Sequence, residues 1–421
     1  MIKKTTLKNG LRIITIPMKD TNSATILVMT KTGSRDEDKE INGISHFLEH
    51  MVFKGTKKRP NTLAIAEELD GVGGESNAAT GPEETLYYAK VNGKHIDLAL
   101  DVVSDIFLNP ELREEDIERE RGVIIEEINM YQDTPMSYVS VLFEKLLYEK
   151  ENVGWNIAGE KKNILKFKRK DFLEYRKKHY TAKNTVVCVS GKIDSKKLIE
   201  KIKKDFSKIN KQNPKKRNKI KETQKSPQDL IYYKKTDQTH LCIGARAYNI
   251  FHPDKYALSL LSVILGGNMS SRLFMSVREK EGLAYYVKTT TEGYTDTGYI
   301  VTQAGVDNKR VERTIEIILN EYKKIKEKGV SLGELTKAKE YVKGRAILGL
   351  ESSDDMASFA ASQEILTGNI LTLKQKFEKI NKVKESDIQK VAKEIFVPEK
   401  LNLALIGPFK RNPCPKLSKQ L

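Results

Sequence analysis

A chain of 421 residues exceeds what one hydrophobic core supports, so its length predicts two domains. Hydrophobic residues make up 39% of the sequence, which suits a globular protein, and no apolar run has the length of a membrane span. The net charge of +17 comes largely from lysines scattered along predicted helices and concentrated between Lys201 and Lys225. Because aromatic residues do not alternate with these lysines and no nucleic-acid motif accompanies them, they indicate solvated faces, and a basic nucleic-acid-binding module is the disfavoured alternative.

The cysteines and the N-terminal residues indicate the compartment. Cys188, Cys242 and Cys414 are far apart and odd in number, so we predict no disulfide framework and favour a reducing environment. The first ten residues have the pattern of neither a signal peptide nor a transit peptide. We therefore expect a cytoplasmic protein that is not attached to a membrane.

The first half of the sequence predicts strands and helices in alternation. Apolar residues at helical spacing, without Gly or Pro between residues 44 and 54, predict a helix there. Strands are predicted at 11–16, 24–30, 77–80 and 85–91, and further helices at 61–70, 96–108 and 114–132.

The helix predicted from residue 44 carries a candidate metal motif. His46 and His50 are one turn apart, so their imidazoles project from one face and can bind one zinc ion. Glu49 borders the same face, where a carboxylate can act on a water molecule without being a ligand. This is the reverse of the His-Glu-x-x-His pattern. Two histidines at this spacing are more often surface or core residues when nothing accompanies them, so the motif needs further ligands.

The helix predicted at 114–132 offers carboxylates for a third ligand. Glu120 and Glu127 are two helical turns apart and lie close to one face. Glu127 would complete a His-His-Glu site with an open fourth position, which is typical of catalytic zinc, and Glu120 would support it. Since Glu115, Glu118 and Glu126 lie on the same helix, spacing alone does not select Glu127.

The remainder of the sequence predicts a linker and a second α+β unit. Residues 211–225 are rich in lysine and poor in apolar residues, so we place domains at 1–212 and 229–421 with a basic linker at 213–228. Residues 136–180 are predicted to be mainly helical, before a buried strand at 185–190. The second half predicts strands at 241–245, 284–290, 298–305 and 402–406, and helices at 255–265, 308–327 and 332–350. This half has no His-x-x-Glu-His.

Several stretches together resemble the pitrilysin/insulysin family of inverzincin metallopeptidases, and most closely its half-size members, such as the β-subunit of mitochondrial processing peptidase and its bacterial relatives. The likeness covers residues 5–408. The stretches are GSRDE (33–37), HFLEHMVFKG (46–55), GESNAAT (74–80), ETLY (84–87), ERERGVIIEE (118–127), GGNMSSRLF (266–274) and REKEGLAY (278–285).

The resemblance implies a fold and a metal site. The expected fold is α+β, with two homologous domains that are each an antiparallel β-sheet covered by α-helices. The resemblance also implies one Zn²⁺ per chain, held by His46, His50 and Glu127, with Glu120 as a supporting carboxylate. Glu49 is then expected to act as the general base.

The resemblance further implies how a substrate is bound. Peptides are expected to bind as an added β-strand along the segment Asn77, Ala78 and Ala79, a mode that uses main-chain hydrogen bonds and tolerates varied sequence. Arg278 and Tyr285 match the family's C-terminal Arg/Tyr pair, which holds the substrate backbone and stabilises the transition state.

We therefore expect a zinc-dependent endopeptidase that cleaves peptides or unfolded polypeptide segments. Half-size chains of this family pair to enclose a chamber, and some pairs divide the metal motif and the Arg/Tyr pair between two chains. This chain retains both and has only Gly266-Gly267-Asn268 where the α-type partner has a long glycine-rich loop, so we expect a homodimer. The alternative within this fold is a non-catalytic assembly subunit, although such subunits usually lose the metal and base residues.

Overall fold

A computed structural model describes residues 2–148 and 151–414 of the chain. The described residues group into two compact units that are not continuous in sequence. Those within Met1–Asn129, Trp155–Asn218 and Leu348–Ile370 form unit 1, and those within Met130–Gly154, Lys219–Ile347 and Leu371–Leu421 form unit 2.

Each unit is built on one sheet. The strands of unit 1 are β1 (Lys3–Thr6), β2 (Arg12–Pro17), β3 (Ser23–Thr30), β4 (Glu75–Thr80), β5 (Thr85–Asn92) and β6 (Thr185–Gly191). Their order in the sheet is β1-β2-β6-β3-β5-β4, so β4 is an edge strand. The strands of unit 2 are β7 (Gln228–Tyr233), β8 (Gln238–Arg246), β9 (Ala284–Gly293), β10 (Gly298–Asp307) and β11 (Asn402–Gly407), in the order β7-β11-β8-β10-β9.

Helices cover these sheets. In chain order they are α1 (Ile44–Met51), α2 (Thr62–Asp70), α3 (Ile96–Leu108), α4 (Glu114–Gln132), α5 (Pro135–Tyr148), α6 (Lys161–Ile164), α7 (Arg169–His179), α8 (Ser195–Asp205), α9 (Lys255–Gly266), α10 (Val311–Lys328), α11 (Leu332–Leu348), α12 (Ser353–Thr367), α13 (Leu373–Asn381) and α14 (Glu385–Ile395). A π-helix occupies Phe274–Lys280. No helix in the described part of the chain is both long and apolar enough to cross a membrane.

Each sheet is covered in part by a helix from the other half of the sequence: α12 belongs to unit 1, and α5 belongs to unit 2. Every residue of β6 and of β11 is buried, so both faces of each sheet need a covering layer. On one face of the unit 1 sheet, α12 packs with Ala357, Ala360 and Ala361, whose small side chains let the helix approach the strands closely. On the unit 2 sheet, α5 packs with Leu142 and Phe143 against apolar strand residues.

The α+β architecture with two units is confirmed, with two differences from the expected details. The sheets are mixed, because β2 pairs with β6 and β7 pairs with β11 in parallel, while the remaining neighbours are antiparallel. The predicted division into 1–212 and 229–421 does not account for the exchange of α5 and α12. The physical reason is that a sheet buried on both faces must be covered by apolar helices. A covering helix can come from any part of the chain, so it need not lie near the strands in sequence.

The packing of α5 in unit 2 buries an acidic side chain and predicts a pH-dependent stability. Glu144 accepts a hydrogen bond of 2.6 Å from the Tyr299 hydroxyl. Burial raises the pKa of Glu144 to about 7, with the hydrogen bond from Tyr299 opposing the rise and the charge of Glu292 adding to it. Because the ordinary pKa is 4.5, the folded protein retains a proton between pH 4.5 and about 7 that the unfolded chain releases. Stability is therefore greatest below this window and falls as the pH rises through it.

We expect Glu144→Gln to remove this pH dependence. Glutamine has the same shape, keeps an oxygen that accepts the Tyr299 hydrogen bond, and does not ionise. The free energy of unfolding of the variant should exceed that of the wild type by about 3 kcal/mol at pH 8 and match it near pH 4. Urea denaturation over this pH range measures the difference. Parallel stability profiles for the two proteins would contradict the prediction.

Candidate metal centre

Helix α1 presents the histidines because its other face is anchored in the core. Gly43 precedes the helix with φ of 102°, and a Cβ there would lie 2.9 Å from the Ala158 carbonyl oxygen, so glycine is required at this turn. Buried Phe47 packs edge-on against Phe172, and Ile44, Leu48 and Met51 are also buried. The remaining face carries His46, Glu49 and His50.

A buried carboxylate fixes the start of α1. Glu37 accepts hydrogen bonds of 2.8 Å from the backbone N–H groups of Gly43 and Ser45, and one of 2.9 Å from the Asn42 side chain. Burial raises the pKa of Glu37 to about 7, and these hydrogen bonds limit the rise because they favour the charged form. The first N–H groups of α1 are therefore satisfied by a side chain rather than by water.

Helix α4 supplies the carboxylates. Ile117, Ile124 and Ile128 are buried and set the rotation of the helix about its axis. That rotation places Glu120 and Glu127 toward α1, while Glu126 is exposed and accepts a hydrogen bond from Asn129.

His46, His50 and Glu127 form a group whose ligand atoms all lie within 4.8 Å of one another. The distance from Glu127 Oε2 is 3.4 Å to His46 Nε2 and 3.6 Å to His50 Nε2. Ligand atoms bound to one tetrahedral zinc ion lie about 3.3 Å apart. The hydrogen bond from His46 lowers the pKa of Glu127 despite partial burial, so this carboxylate is held in the charged form that a metal requires. The three residues therefore fit a zinc ion in donor type and spacing.

Glu120 orients one of these histidines. Its Oε1 lies 2.9 Å from His50 Nδ1, and its Oε2 lies 2.5 Å from Lys54 Nζ. Burial alone would raise the pKa of Glu120, but the hydrogen bonds from His50 and Lys54 outweigh it and lower the pKa. A carboxylate on Nδ1 leaves Nε2 directed toward Glu127, an arrangement that raises the basicity of a metal-binding histidine.

Glu49 is held by a residue of the edge strand. The Thr80 hydroxyl, at the end of β4, donates a hydrogen bond of 2.6 Å to Glu49 Oε2. Glu49 Oε1 is left available for another donor, and Glu49 is not a member of the three-residue group. This placement suits proton transfer rather than ligation.

The segment Asn77, Ala78 and Ala79 lies in β4, which pairs with β5 and is the last strand of the unit 1 sheet. Asn77 and Ala79 are exposed, and Ala78 is half-buried. The Asn77 side chain accepts a hydrogen bond of 2.8 Å from the Ala78 N–H. This edge therefore has the small side chains that strand addition needs, with one main-chain donor covered by Asn77.

Arg278 and Tyr285 lie in unit 2, in the π-helix and at the start of β9. The Arg278 guanidinium is 4.9 Å from the Phe274 ring centroid and 5.9 Å from that of Tyr285. Tyr285 is 77% exposed. The structure thus brings the predicted pair together on the surface of unit 2, stacked through a cation–π contact.

Comparisons with known proteins identify the family. Residues 12–161 match the model of Insulinase (Peptidase family M16), and residues 166–342 match the Peptidase M16 inactive domain. A Bacillus subtilis protein named an uncharacterized zinc protease is 36% identical over 97% of this chain and 98% of its own length. The chain belongs to peptidase family M16.

A further relative and two solved structures extend the likeness. An uncharacterized zinc protease of Streptomyces coelicolor is 32% identical over 99% of this chain and 92% of its own. The crystal structure of a protease from Helicobacter pylori superposes with a TM-score of 0.91 and 27% identity, covering 97% of this chain and 99% of the other. A Pseudomonas fluorescens M16 inactive domain shares the fold with a TM-score of 0.89 and 17% identity, over 98% and 100% of the chains. The Bacillus subtilis and Streptomyces coelicolor relatives are both named zinc proteases.

Two residues in contact with the candidate site have no role that the sequence pattern predicts. Thr80 and Lys54 contact Glu49 and Glu120 respectively. Both lie inside stretches that resemble the family, but their contacts join helices and strands that are distant in sequence, so no local pattern marks them.

Proposed function

We propose that this M16 protein is a zinc-dependent endopeptidase that cleaves peptides or unfolded polypeptide segments. One observation carries the proposal: a His46-His50-Glu127 group with zinc spacing lies beside a carboxylate, Glu49, that is oriented by Thr80. A metal site without a neighbouring base would also fit a structural ion. The combination of an open three-residue site and an oriented base is typical of hydrolysis.

In the proposed reaction, His46, His50 and Glu127 would hold Zn²⁺, one ion per chain. A zinc ion at this site would supply acidification of a water molecule and polarisation of the substrate carbonyl. Glu49 takes a proton on Oε1 from the attacking water and returns it to the nitrogen of the leaving amine. Because Thr80 occupies Oε2, this proton transfer has one available oxygen. Glu120 keeps His50 oriented throughout the reaction.

The substrate would bind as an added strand on β4. Main-chain groups of Asn77, Ala78 and Ala79 would pair with the peptide, which requires Asn77 to release the Ala78 N–H. An extended, unfolded chain satisfies this geometry, whereas a helix or a folded domain does not. Arg278 and Tyr285 would hold the substrate backbone and stabilise the developing negative charge.

We also propose that the chain acts as a homodimer, since it carries both the metal group and the Arg/Tyr pair. Light scattering of the purified protein tests this, and a monomer with full activity would contradict it. A non-catalytic subunit of the same fold remains the alternative function. A non-catalytic subunit would bind zinc but would not cleave peptides.

A peptide assay tests the proposed function. Purified protein is incubated with a mixture of unstructured peptides whose termini are both blocked, and the products are identified by mass spectrometry. We expect internal cleavage that a zinc chelator abolishes and added zinc restores. Zinc-loaded protein that leaves every peptide intact would contradict the proposal and favour the non-catalytic subunit.

A further inference from the structure

The predicted linker 213–228 is irregular up to residue 227, and part of it is anchored in unit 1. Residues 209–227 form no helix or strand. Within them, the Arg217 side chain is only 13% exposed, whereas Lys215, two residues earlier, is 48% exposed. The predicted linker is therefore not exposed along its whole length, because buried carboxylates of unit 1 bind the Arg217 guanidinium.

Arg217 first contacts the loop that precedes α1. Its Nε donates to Asp36 Oδ1 at 3.0 Å and its Nη2 donates to Asp36 Oδ2 at 2.6 Å, which is a two-pronged ion pair. Asp36 is followed by Glu37, whose carboxylate accepts hydrogen bonds from the N–H groups of Gly43 and Ser45. Arg217 thus holds the short segment on which the start of the metal-binding helix depends.

Arg217 also contacts the loop between β4 and β5. Its Nη1 donates to Glu83 Oε1 at 2.6 Å, and its Nη2 donates to the Glu83 carbonyl oxygen at 3.2 Å. Glu83 lies three residues after Thr80, whose hydroxyl orients Glu49. One guanidinium therefore contacts the segment that leads to α1 and the loop that follows β4, the two elements that carry Glu49 and Thr80.

The segment that precedes α1 and the loop between β4 and β5 also contact each other directly. The Arg35 N–H donates to the Pro82 carbonyl oxygen at 2.9 Å, and the Arg35 guanidinium donates to Glu83 Oε1 at 2.5 Å. The side chains of Arg35, Asp36 and Glu83 are at most 6% exposed. Removing a cation from such a network leaves a buried carboxylate without its partner, so the loops would have to rearrange.

We propose that Arg217 is a positioning residue, which fixes the start of α1 through Asp36 and the Thr80–Glu49 contact through Glu83. This inference rests on the proposed peptidase function. Lys215 of the same segment pairs with the exposed Asp38, whereas Arg217 sets the geometry on which proton transfer by Glu49 depends.

The test compares Arg217→Ala with Lys215→Ala, a control in the same segment whose ammonium pairs with the exposed Asp38. At a temperature below the unfolding of each protein, we expect kcat of Arg217→Ala to fall about 10- to 100-fold with a much smaller change in KM. Zinc release to a coloured chelator should be about 10-fold faster. Added methylguanidinium should restore part of the lost kcat in this variant alone. Lys215→Ala should behave as the wild type in all three measurements.

A purely structural role would give a different result. If Arg217→Ala lowers the melting temperature but keeps the wild-type kcat and zinc release rate, the proposal is overturned. Should Arg217→Ala not fold, Asp36→Asn weakens the same contact and should change kcat and zinc release in the same direction. An unchanged Asp36→Asn protein would then overturn the proposal.

Failure of the proposed function can be distinguished from failure of this inference. Amide hydrogen exchange of Gly43 and Ser45 does not require peptidase activity. Faster exchange at these two amides in Arg217→Ala than in Lys215→Ala supports the positioning role even in a protein that cleaves nothing. Equal exchange contradicts it.

Discussion

Glu49→Gln is expected to retain zinc and to lower turnover by about 10²- to 10⁴-fold, the usual contribution of a general acid–base group. The amide keeps an oxygen that accepts the Thr80 hydrogen bond, so the local structure is preserved. It does not take up a proton from the attacking water, which is why the chemical step slows. Metal analysis and a peptide-cleavage assay on the same preparation measure the two effects.

Glu126→Gln is the matched control for this variant, because Glu126 is an exposed glutamate of the same unit with one hydrogen bond to Asn129. It should retain both zinc and activity. Loss of zinc together with activity in Glu49→Gln would show that Glu49 is a ligand rather than the base. A fully active Glu49→Gln protein would remove Glu49 from the mechanism.

The second large effect is expected at the carboxylates of α4, where substitutions of three glutamates should lower zinc affinity to different extents. Glu127→Gln replaces a charged oxygen 3.4 Å from His46 Nε2 by a neutral one, and should weaken zinc binding more than 100-fold. Glu120→Gln should weaken it about 10- to 100-fold, the usual cost of losing a group that orients a ligand. Glu126→Gln should leave zinc affinity unchanged.

Zinc affinity of the three variants is measured by competition with a chelator of known affinity. The ranking follows from position and not from charge, since each substitution removes one negative charge from the same helix. Equal losses at residues 126 and 127 would therefore refute Glu127 as a ligand and indicate a general electrostatic effect.

The sequence was sufficient to predict the histidine pair, because both residues lie on one short helix and the 3.6-residue period fixes their relative direction. It was insufficient for Glu127. Which carboxylate of α4 faces α1 depends on the rotation of α4, and that rotation is set by Ile117, Ile124 and Ile128 in the assembled core. Here the resemblance to a family supplied the choice that helical spacing left open.

Other features depended on contacts between distant parts of the chain. Thr80 reaches Glu49 across 31 positions, and Arg217 reaches Asp36 across 181. The helices α8, α12, α13 and α14 were not predicted, although Ser352 and Thr372 have the Ser/Thr caps that precede α12 and α13. The position of α12 on the unit 1 sheet follows from its alanine face, which gives only a weak signal without the strands that it covers.

We propose that one zinc ion, held by His46, His50 and Glu127, makes this chain a peptidase. Stepwise addition of zinc to metal-free protein, with the cleavage rate of an end-blocked peptide measured at each step, tests it most directly. We expect a rate that starts near zero, rises in proportion to bound zinc, and levels off at about one zinc per chain. Cleavage by the metal-free protein, or no cleavage at full zinc occupancy, would contradict it.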